Sequence, residues 1–280
     1  MTTKMKQLLK GLYAVCIMAF VIGFTSLTVR AETTDEIEPN DTMESAQTIQ
    51  ANSETAVGFV DGTFFGQHII NGYTSSSDED WFMVYLKAGK NYLTCNCCTF
   101  DFEVRTEGGE IVSRGTYSNG TGGIEAFLLN IPCDGYYYVR IKGVTATLRS
   151  YLFLIGGPTY SISSNVIRCA TGTIRMTSGG GKQTGLFYGE LVSFPEDAIV
   201  NYVRINGLNS YAVKSIKLTN KSSGQSMNLN KYTWDKKGLV GLNMVAASRW
   251  SATFEYSRNT TFTPTLTVEY IYPIYSTPVD

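Results

Sequence analysis

Oxygen-bearing side chains gather in two short segments of the first half of the chain. They are Glu36, Glu38, Asn40 and Asp41 in the first segment, and Asp78 and Asp80 in the second. Ca²⁺ takes about six to eight oxygen ligands, mainly from carboxylates and from amide or backbone carbonyls. Carboxylates crowded together repel one another unless a cation or hydrogen bonds compensate their charge. If the fold joins the two segments, these residues predict a Ca²⁺ site.

A second interpretation of the same residues needs no metal. Asn40 and Asp41 are turn-forming types, and Asp41 could cap a helical turn over residues 41–47 with Glu44 reaching back in a capping box. Asp78 and Asp80 would then be solvated loop residues. Both interpretations are open at this point.

Side chains suited to nucleophilic catalysis are scarce. A serine or cysteine triad normally needs a histidine base, and His68, the only histidine, lies beside Ile69 and Ile70 without a nucleophile motif. No carboxylate pair stands out for glycoside hydrolysis. We therefore predict that the chain is not an enzyme, with an uncharacterised hydrolase as the alternative.

Most of the cysteines fall within the first half of the chain. Beyond residue 31 they are Cys95, Cys97, Cys98, Cys133 and Cys169. Their odd number leaves at least one thiol free or paired between molecules. Cys95 and Cys97 should share one face of a strand, about 6.5–7 Å apart at Cα, at the upper limit for a disulfide; Cys133 is a candidate partner. A thiolate metal site at 95–98 would have no nearby histidine, so buried thiols or one disulfide are favoured.

The first 31 residues have the pattern of a secretory signal peptide. A basic head containing Lys4, Lys6 and Lys10 precedes an apolar run over 12–24. That run is shorter than the roughly 20 residues that span a bilayer. The small residues around Ala31 then fit a site where the signal peptide is cleaved off. We predict a signal peptide over 1–31, no membrane span after its cleavage, and a secreted, extracellular protein.

The rest of the chain is mildly acidic. Four of the 23 basic residues lie within 1–31, which leaves 19 against 24 acidic residues, a formal charge of −5. This balance gives no electrostatic reason to bind nucleic acid. Only 17% of residues are charged while aromatic residues reach 12%, a composition that favours β-strands over helices.

Short apolar runs separated by turns recur along the whole chain. Residues 266–272 alternate well, with one face formed by Leu266, Val268, Tyr270 and Tyr272. Gly156, Gly157 and Pro158 interrupt the pattern, because proline cannot continue a ladder. The pattern predicts an all-β chain of two β-sandwich or jelly-roll-type domains, residues 32–156 and 157–280.

The first predicted domain resembles the bacterial pre-peptidase C-terminal domain family. Residues 36–42 resemble the opening E-x-E-P-N-D-T segment, and residues 78–82 resemble the D-x-D-W-F start of a core strand. Residues 86–89 match the L-x-A-G turn, and residues 135–141 resemble the G-x-Y-Y-V-x-V strand. The four stretches occur in the family's order and cover residues 36–155. The second domain is only faintly similar to jelly-roll accessory domains of secreted proteins.

The resemblance implies a non-catalytic β-sandwich of the kind appended to secreted peptidases and other exoenzymes. Some members bind calcium, and in those the two acidic segments meet. Others bind collagen or assist secretion. No peptidase domain precedes the module here, so a role as a maturation tail is not expected.

Together these observations predict a secreted bacterial binding or adhesion protein. Calcium would stabilise it, and its partner would be an extracellular protein or polysaccharide. The alternative is an accessory or regulatory subunit of a separately encoded secreted peptidase or other exoenzyme.

Overall fold

The computed structural model describes residues 32–53, 59–60, 63–64, 66–118, 123–177, 179–209 and 211–274. The predicted signal peptide, residues 1–31, lies outside the described residues. Within the described ranges, no helix has the length and apolar character needed to cross a membrane.

Strands dominate the first half of the chain. They are β1 Glu32–Asp35, β2 Gln47–Ile49, β3 Phe59–Val60, β4 Thr63–Phe64, β5 His68–Thr74, β6 Glu79–Leu86, β7 Gly89–Cys97, β8 Phe100–Thr106, β9 Ile111–Tyr117, β10 Glu125–Ile131, β11 Gly135–Gly143 and β12 Arg149–Gly156. A single 3₁₀ turn, Met43–Ser45, interrupts the strands described there.

Two five-stranded sheets form this half. Sheet 1 has the order β1-β5-β12-β7-β10, and sheet 2 has the order β2-β6-β11-β8-β9. Strand β1 runs parallel to β5, and β2 runs parallel to β6. The inward residues of both sheets share one apolar core, which includes Phe82 and Val139 from sheet 2 and Leu93 and Phe153 from sheet 1. The arrangement is a β-sandwich, since each sheet buries one face against the other.

The second half is also built from strands. They are β13 Tyr160–Arg168, β14 Ile174–Met176, β15 Gly181–Tyr188, β16 Ile199–Asn206, β17 Val213–Asn220, β18 Ser226–Asn228, β19 Asp235–Lys236, β20 Arg249–Tyr256, β21 Thr260–Phe262 and β22 Thr265–Pro273. Short 3₁₀ turns occur at Gly189–Leu191 and Val240–Leu242.

Sheets 3 and 4 face each other in this half. Sheet 3 has the order β13-β22-β16-β19, and sheet 4 has the order β15-β20-β17-β18. Trp250 and Phe254 of sheet 4 and Leu266 and Val268 of sheet 3 lie fully buried in their shared core. The predicted alternation of β22 is confirmed, and so is the all-β fold class.

The glycine-proline break lies between β12 and β13. Gly156 ends β12 with a φ of +116°, a conformation that side chains disfavour. In the described part of the chain, every ladder joins strands on the same side of this break. A side-chain hydrogen bond crosses it, from Thr159 Oγ1 to Thr94 Oγ1 at 2.8 Å.

Candidate metal centre

The segment that carries the first group of acids passes from one sheet of the first sandwich to the other. The Glu36 amide donates to the Asn71 carbonyl of sheet 1 at 2.8 Å, just beyond β1. A few residues later the Asn40 carbonyl accepts from the Trp81 amide of sheet 2 at 2.9 Å. These backbone bonds place the first segment against the start of β6, which carries Asp80.

Five carboxylates meet at this point. Glu36, Glu38 and Asp80 each offer an oxygen within 4.8 Å of the others, and so do Glu38, Asp41 and Asp78. Glu38 belongs to both triads, which makes one continuous cluster. The structure therefore brings together the acidic residues that the sequence analysis selected from the two segments. We call these five side chains and Asn40 the acidic cluster.

Asn40 and Asp80 lie at the buried side of the acidic cluster. Both side chains are 0% exposed. Neither oxygen of Asp80, and neither the oxygen nor the nitrogen of the Asn40 amide, has a hydrogen-bond partner among the described residues. Buried polar groups without partners are costly. The three oxygens among these four atoms are of the type that coordinates hard cations, and no described group satisfies them.

The carboxyl groups of the cluster are held in an unfavourable environment for negative charge. Burial, followed by nearby Glu36 and Asp78, raises the pKa of Asp80 to about 9. The Asp80 oxygens have no partner of hydrogen-bonding geometry, so we attribute the influence of Glu36 to its charge. Burial also raises the pKa of Glu38 and of Asp78, and neighbouring carboxylates add to both shifts.

No described basic side chain compensates these charges. The ion pairs of β6 lie on its opposite face, where Glu79 accepts from Lys142 at 2.7 Å and lies 3.5 Å from Arg140. Asp80, the next residue, points inward because successive side chains of a strand alternate. Within the described ranges, the acidic cluster can be neutralised only by protons or by a cation.

Tyr151 and Gly72 form the wall of the cluster on the sheet 1 side. They lie opposite each other on β12 and β5. A Cβ atom at Gly72 would lie 2.3 Å from the Tyr151 hydroxyl and 2.5 Å from Glu36 Oε2. Glu36 Oε2 accepts from the Tyr73 amide at 2.8 Å, while its other oxygen is buried and has no hydrogen-bond partner among the described residues. Glycine at this position thus makes room for both polar groups.

Sequence reasoning missed Tyr151 and Gly72 as parts of the site. Residues 68–74 are not strongly apolar, so strand β5 was not predicted. Tyr151 has the pattern of an ordinary core residue within β12. The only available signal was Gly72 itself. A glycine within a strand can mark a place where another group packs close to the backbone.

The metal-free interpretation of these residues is wrong in two respects. The 3₁₀ turn is capped by Thr42, whose hydroxyl accepts from the Ser45 amide at 3.3 Å, while the Thr42 amide donates to Ser45 Oγ at 3.2 Å. Asp41 therefore is not the cap, and Glu44 does not complete a capping box. Asp80 is not a solvated loop residue, because it lies on β6 and is fully buried.

The other residues considered for chemistry lie elsewhere. His68 is buried on β5, and its ring nitrogen is 3.9 Å from Glu32. Burial lowers the pKa of His68, and the Glu32 charge partly opposes that shift. All five described cysteines are free thiols. Cys95 and Cys97 do share strand β7, as expected.

Comparisons with known proteins support the fold and do not assign a family. No family model matches the chain, and no curated protein matches its sequence. A candidate secreted protein from Eubacterium rectale is similar in structure, with a TM-score of 0.51, 11% identity and 88% coverage of each chain. At this identity the similarity concerns the fold alone.

Two further structures match far more loosely. The exported protein XepA of PBSX has a TM-score of 0.23 and 9% identity, covering 72% of this chain and 84% of its own. The major capsid protein P2 of bacteriophage PM2 has the same TM-score and identity, covering 75% and 98%. TM-scores this low do not define a shared fold.

Proposed function

We propose that this chain is a secreted, non-catalytic binding protein whose first sandwich is stabilised by Ca²⁺ at the acidic cluster. The observation that carries the calcium part is the pair of fully buried, unpartnered side chains, Asp80 and Asn40, at the floor of a group of five carboxylates. A cation bound there would satisfy both Asp80 oxygens and the Asn40 amide oxygen, and it would reduce the repulsion among the acids.

The donor set suits calcium. All six side chains present oxygen, which is the ligand of hard cations. Ca²⁺ accepts about six to eight oxygens in flexible geometry, whereas Mg²⁺ demands a near-ideal octahedron and keeps several waters. A cluster assembled from a loop and a strand start, with both monodentate and bidentate carboxylates available, fits the less demanding ion. The resemblance to the pre-peptidase C-terminal domain family supports the same assignment.

The outer face of sheet 2 supports a binding role. Tyr85 and Tyr136 lie directly opposite each other on β6 and β11. They are 47% and 50% exposed, with ring centroids 5.4 Å apart in edge-to-face contact. Such exposed aromatic groups on a rigid sheet are typical of recognition surfaces. We call Tyr85 and Tyr136 the tyrosine pair.

Charged residues farther along β6, β8 and β11 are joined in ion pairs. Glu103 pairs with Arg105 and with Arg140, and Glu79 pairs with Lys142. Arg105 also lies over the Trp81 ring, 5.7 Å from its centroid. Because these charges are engaged with one another, the protruding aromatic groups favour an uncharged or mixed surface. We therefore propose an extracellular protein or a neutral polysaccharide as the partner.

A binding experiment tests the recognition part. Residues 32–280 would be incubated with insoluble extracellular polymers, both protein and polysaccharide, and the bound fraction compared with that of Tyr85→Ala/Tyr136→Ala. We expect the double variant to lose binding while keeping its melting temperature, since both rings are about half exposed. Equal binding by the two proteins would refute the role of this face. Recovery of a secreted enzyme instead of polymer would favour an accessory subunit.

A calcium titration tests the metal part, and an export assay tests secretion. The melting temperature of residues 32–280 should be higher in Ca²⁺ than in chelator. An unchanged melting temperature at millimolar Ca²⁺ would refute the metal site. Expression of the full chain in a bacterial host should release a protein that begins at Glu32. Retention of the full-length chain inside the cell would contradict the proposed signal peptide.

A further inference from the structure

Two adjacent cysteines share a surface depression at the end of β7. The depression has a volume of about 410 Å³, and Cys97, Cys98, Thr99 and Arg149 contribute to its lining. Cys97 and Cys98 are partly exposed, whereas Cys95 is buried in the core. The proposed calcium and recognition sites use none of these residues.

The backbone explains why neighbouring side chains reach one depression. Consecutive residues of a strand point to opposite faces, but Cys97 has a φ of +79°. Positive φ is uncommon for a residue other than glycine, and such conformations concentrate at functional sites. This turn of the chain ends β7 and lets both thiols line the same depression.

Hydrogen bonds hold the turn in place. The Cys97 amide donates to Asn96 Oδ1 at 2.8 Å, and the Cys98 amide donates to the Ser150 carbonyl at 3.2 Å. Cys97 also lies opposite Tyr151 in the ladder with β12. The dithiol is therefore presented by a fixed strand end.

Arg149 adds a positive charge to the rim. It is exposed, and no carboxylate among the described residues forms an ion pair with it. Its charge favours the thiolate of Cys98, although burial and Cys97 outweigh it and raise the pKa of Cys98. The guanidinium is thus free to receive the carboxylate of a small molecule that enters the depression.

We propose that Cys97 and Cys98 form a thiol-exchange site for low-molecular-weight disulfides that carry carboxylates. In the first step the Cys97 thiolate attacks one sulfur of the small disulfide. The S–S bond of that molecule breaks, a mixed disulfide forms on Cys97, and the first small thiolate leaves and takes up a proton. Cys98 acts second, because its thiol donates to the Arg149 carbonyl at 4.0 Å, a contact that favours the protonated form.

The second step closes the pair. The Cys98 thiolate attacks the Cys97 sulfur and expels the second small thiolate, which is protonated in turn. The two protein thiols are oxidised to one disulfide, and the small disulfide is reduced to two thiols. Adjacent Cα atoms are only about 3.8 Å apart, below the usual separation of about 4.4–6.8 Å in disulfides. The bond formed is strained, so an excess of the small disulfide keeps the pair oxidised, and added small thiols readily reverse the reaction.

Peptide mapping by mass spectrometry tests the site. Residues 32–280 would be treated with an excess of dithiodiglycolate, a small disulfide with a carboxylate at each end, and then alkylated and digested. We expect wild type to accumulate a Cys97–Cys98 disulfide, and Cys98→Ser to stop at a mixed disulfide on Cys97. Cys133 is an exposed cysteine without a neighbouring thiol, and Cys133→Ser should leave the reaction unchanged.

The charge of Arg149 supplies a second readout. Arg149→Gln should slow the reaction with dithiodiglycolate roughly fivefold, the size expected for one exposed charge pair, and should not slow the reaction with uncharged hydroxyethyl disulfide. If a cysteine variant does not fold, differential alkylation of the wild-type protein can instead rank the reactivity of its thiols. Reaction of Cys133 as fast as Cys97, or oxidation only between molecules, would overturn the proposal.

Discussion

Replacement of Asp80 by asparagine separates a metal ligand from an ordinary buried acid. The side chains have nearly the same shape, and the pKa of Asp80 is raised to about 9, first by burial and then by Glu36 and Asp78. In chelator at pH 7 the wild-type side chain is therefore already neutral. We expect Asp80→Asn to melt within about 2 °C of wild type there, because a change of roughly 0.5 kcal/mol shifts the melting temperature of such a domain by about that much.

Calcium should affect the two proteins differently. A ligand that binds only the folded state contributes about 2.7 kcal/mol at a hundred times its dissociation constant. At roughly 4 °C per kcal/mol for a sandwich of this size, the wild-type transition should rise by about 10 °C. Asp80→Asn loses a carboxylate that lies at the floor of the cluster, so most of that rise should disappear.

Differential scanning calorimetry of residues 32–280, with chelator and with millimolar Ca²⁺, measures both effects. Glu107→Gln is a matched control, because Glu107 is an exposed acid in the turn after β8. It should keep the full response to calcium. The reasoning is refuted if Asp80→Asn keeps the calcium response, or if it melts far below wild type in chelator.

Three further predictions follow from the same geometry. Without metal, Asp80 holds a proton in the folded state between its unfolded pKa of about 3.9 and its folded pKa of about 9, so the free energy of unfolding should fall as pH rises through that window; urea titrations at pH 5 and 8 measure it, and Asp80→Asn should flatten the slope. Ca²⁺ must displace this proton, so its affinity should rise with pH, which isothermal titration in buffers of different ionisation enthalpy would detect as proton release. Gly72→Ala should destabilise the protein by about 1–3 kcal/mol, since its Cβ would lie 2.3 Å from the Tyr151 hydroxyl; Gly135→Ala, where nothing lies within 4 Å, is the control in urea unfolding, and equal losses would contradict the packing argument.

The sequence predicted strands correctly where apolar and polar residues alternate strongly. It divided or missed strands where polar residues or glycine interrupt that alternation. β6 and β22 were predicted because their apolar residues face one core. β13 is one strand where two were predicted, over 160–163 and 166–170. Its polar middle is tolerated because β13 lies at the edge of sheet 3 and pairs only with β22. β5 was missed because Gly72 and Asn71 weaken its pattern.

The sequence predicted which residues form the acidic cluster, but it did not predict how deeply they are buried. The six oxygen donors were predicted because their side chains carry oxygen and because crowded carboxylates need a compensating cation or hydrogen bonds. The family resemblance implied that the two segments meet. Local pattern could not reveal that Asn40 is fully buried, because asparagine is common in exposed turns. It also assigned the cap to Asp41, since aspartate and threonine both serve as caps. The local hydrogen bonds between Thr42 and Ser45 assign the cap to Thr42.

The position of the cluster explains why a cation there would matter to the whole sandwich. Glu36 is joined by its backbone to Asn71 of sheet 1, and Asp80 belongs to β6 of sheet 2. An ion shared by their carboxylates would cross-link the two sheets at one end. The tyrosine pair includes Tyr85, which lies on that same strand, β6. A metal that fixes the start of β6 would thus also steady the outer face that we propose for recognition, which connects the calcium site to binding without placing the ion in contact with the partner.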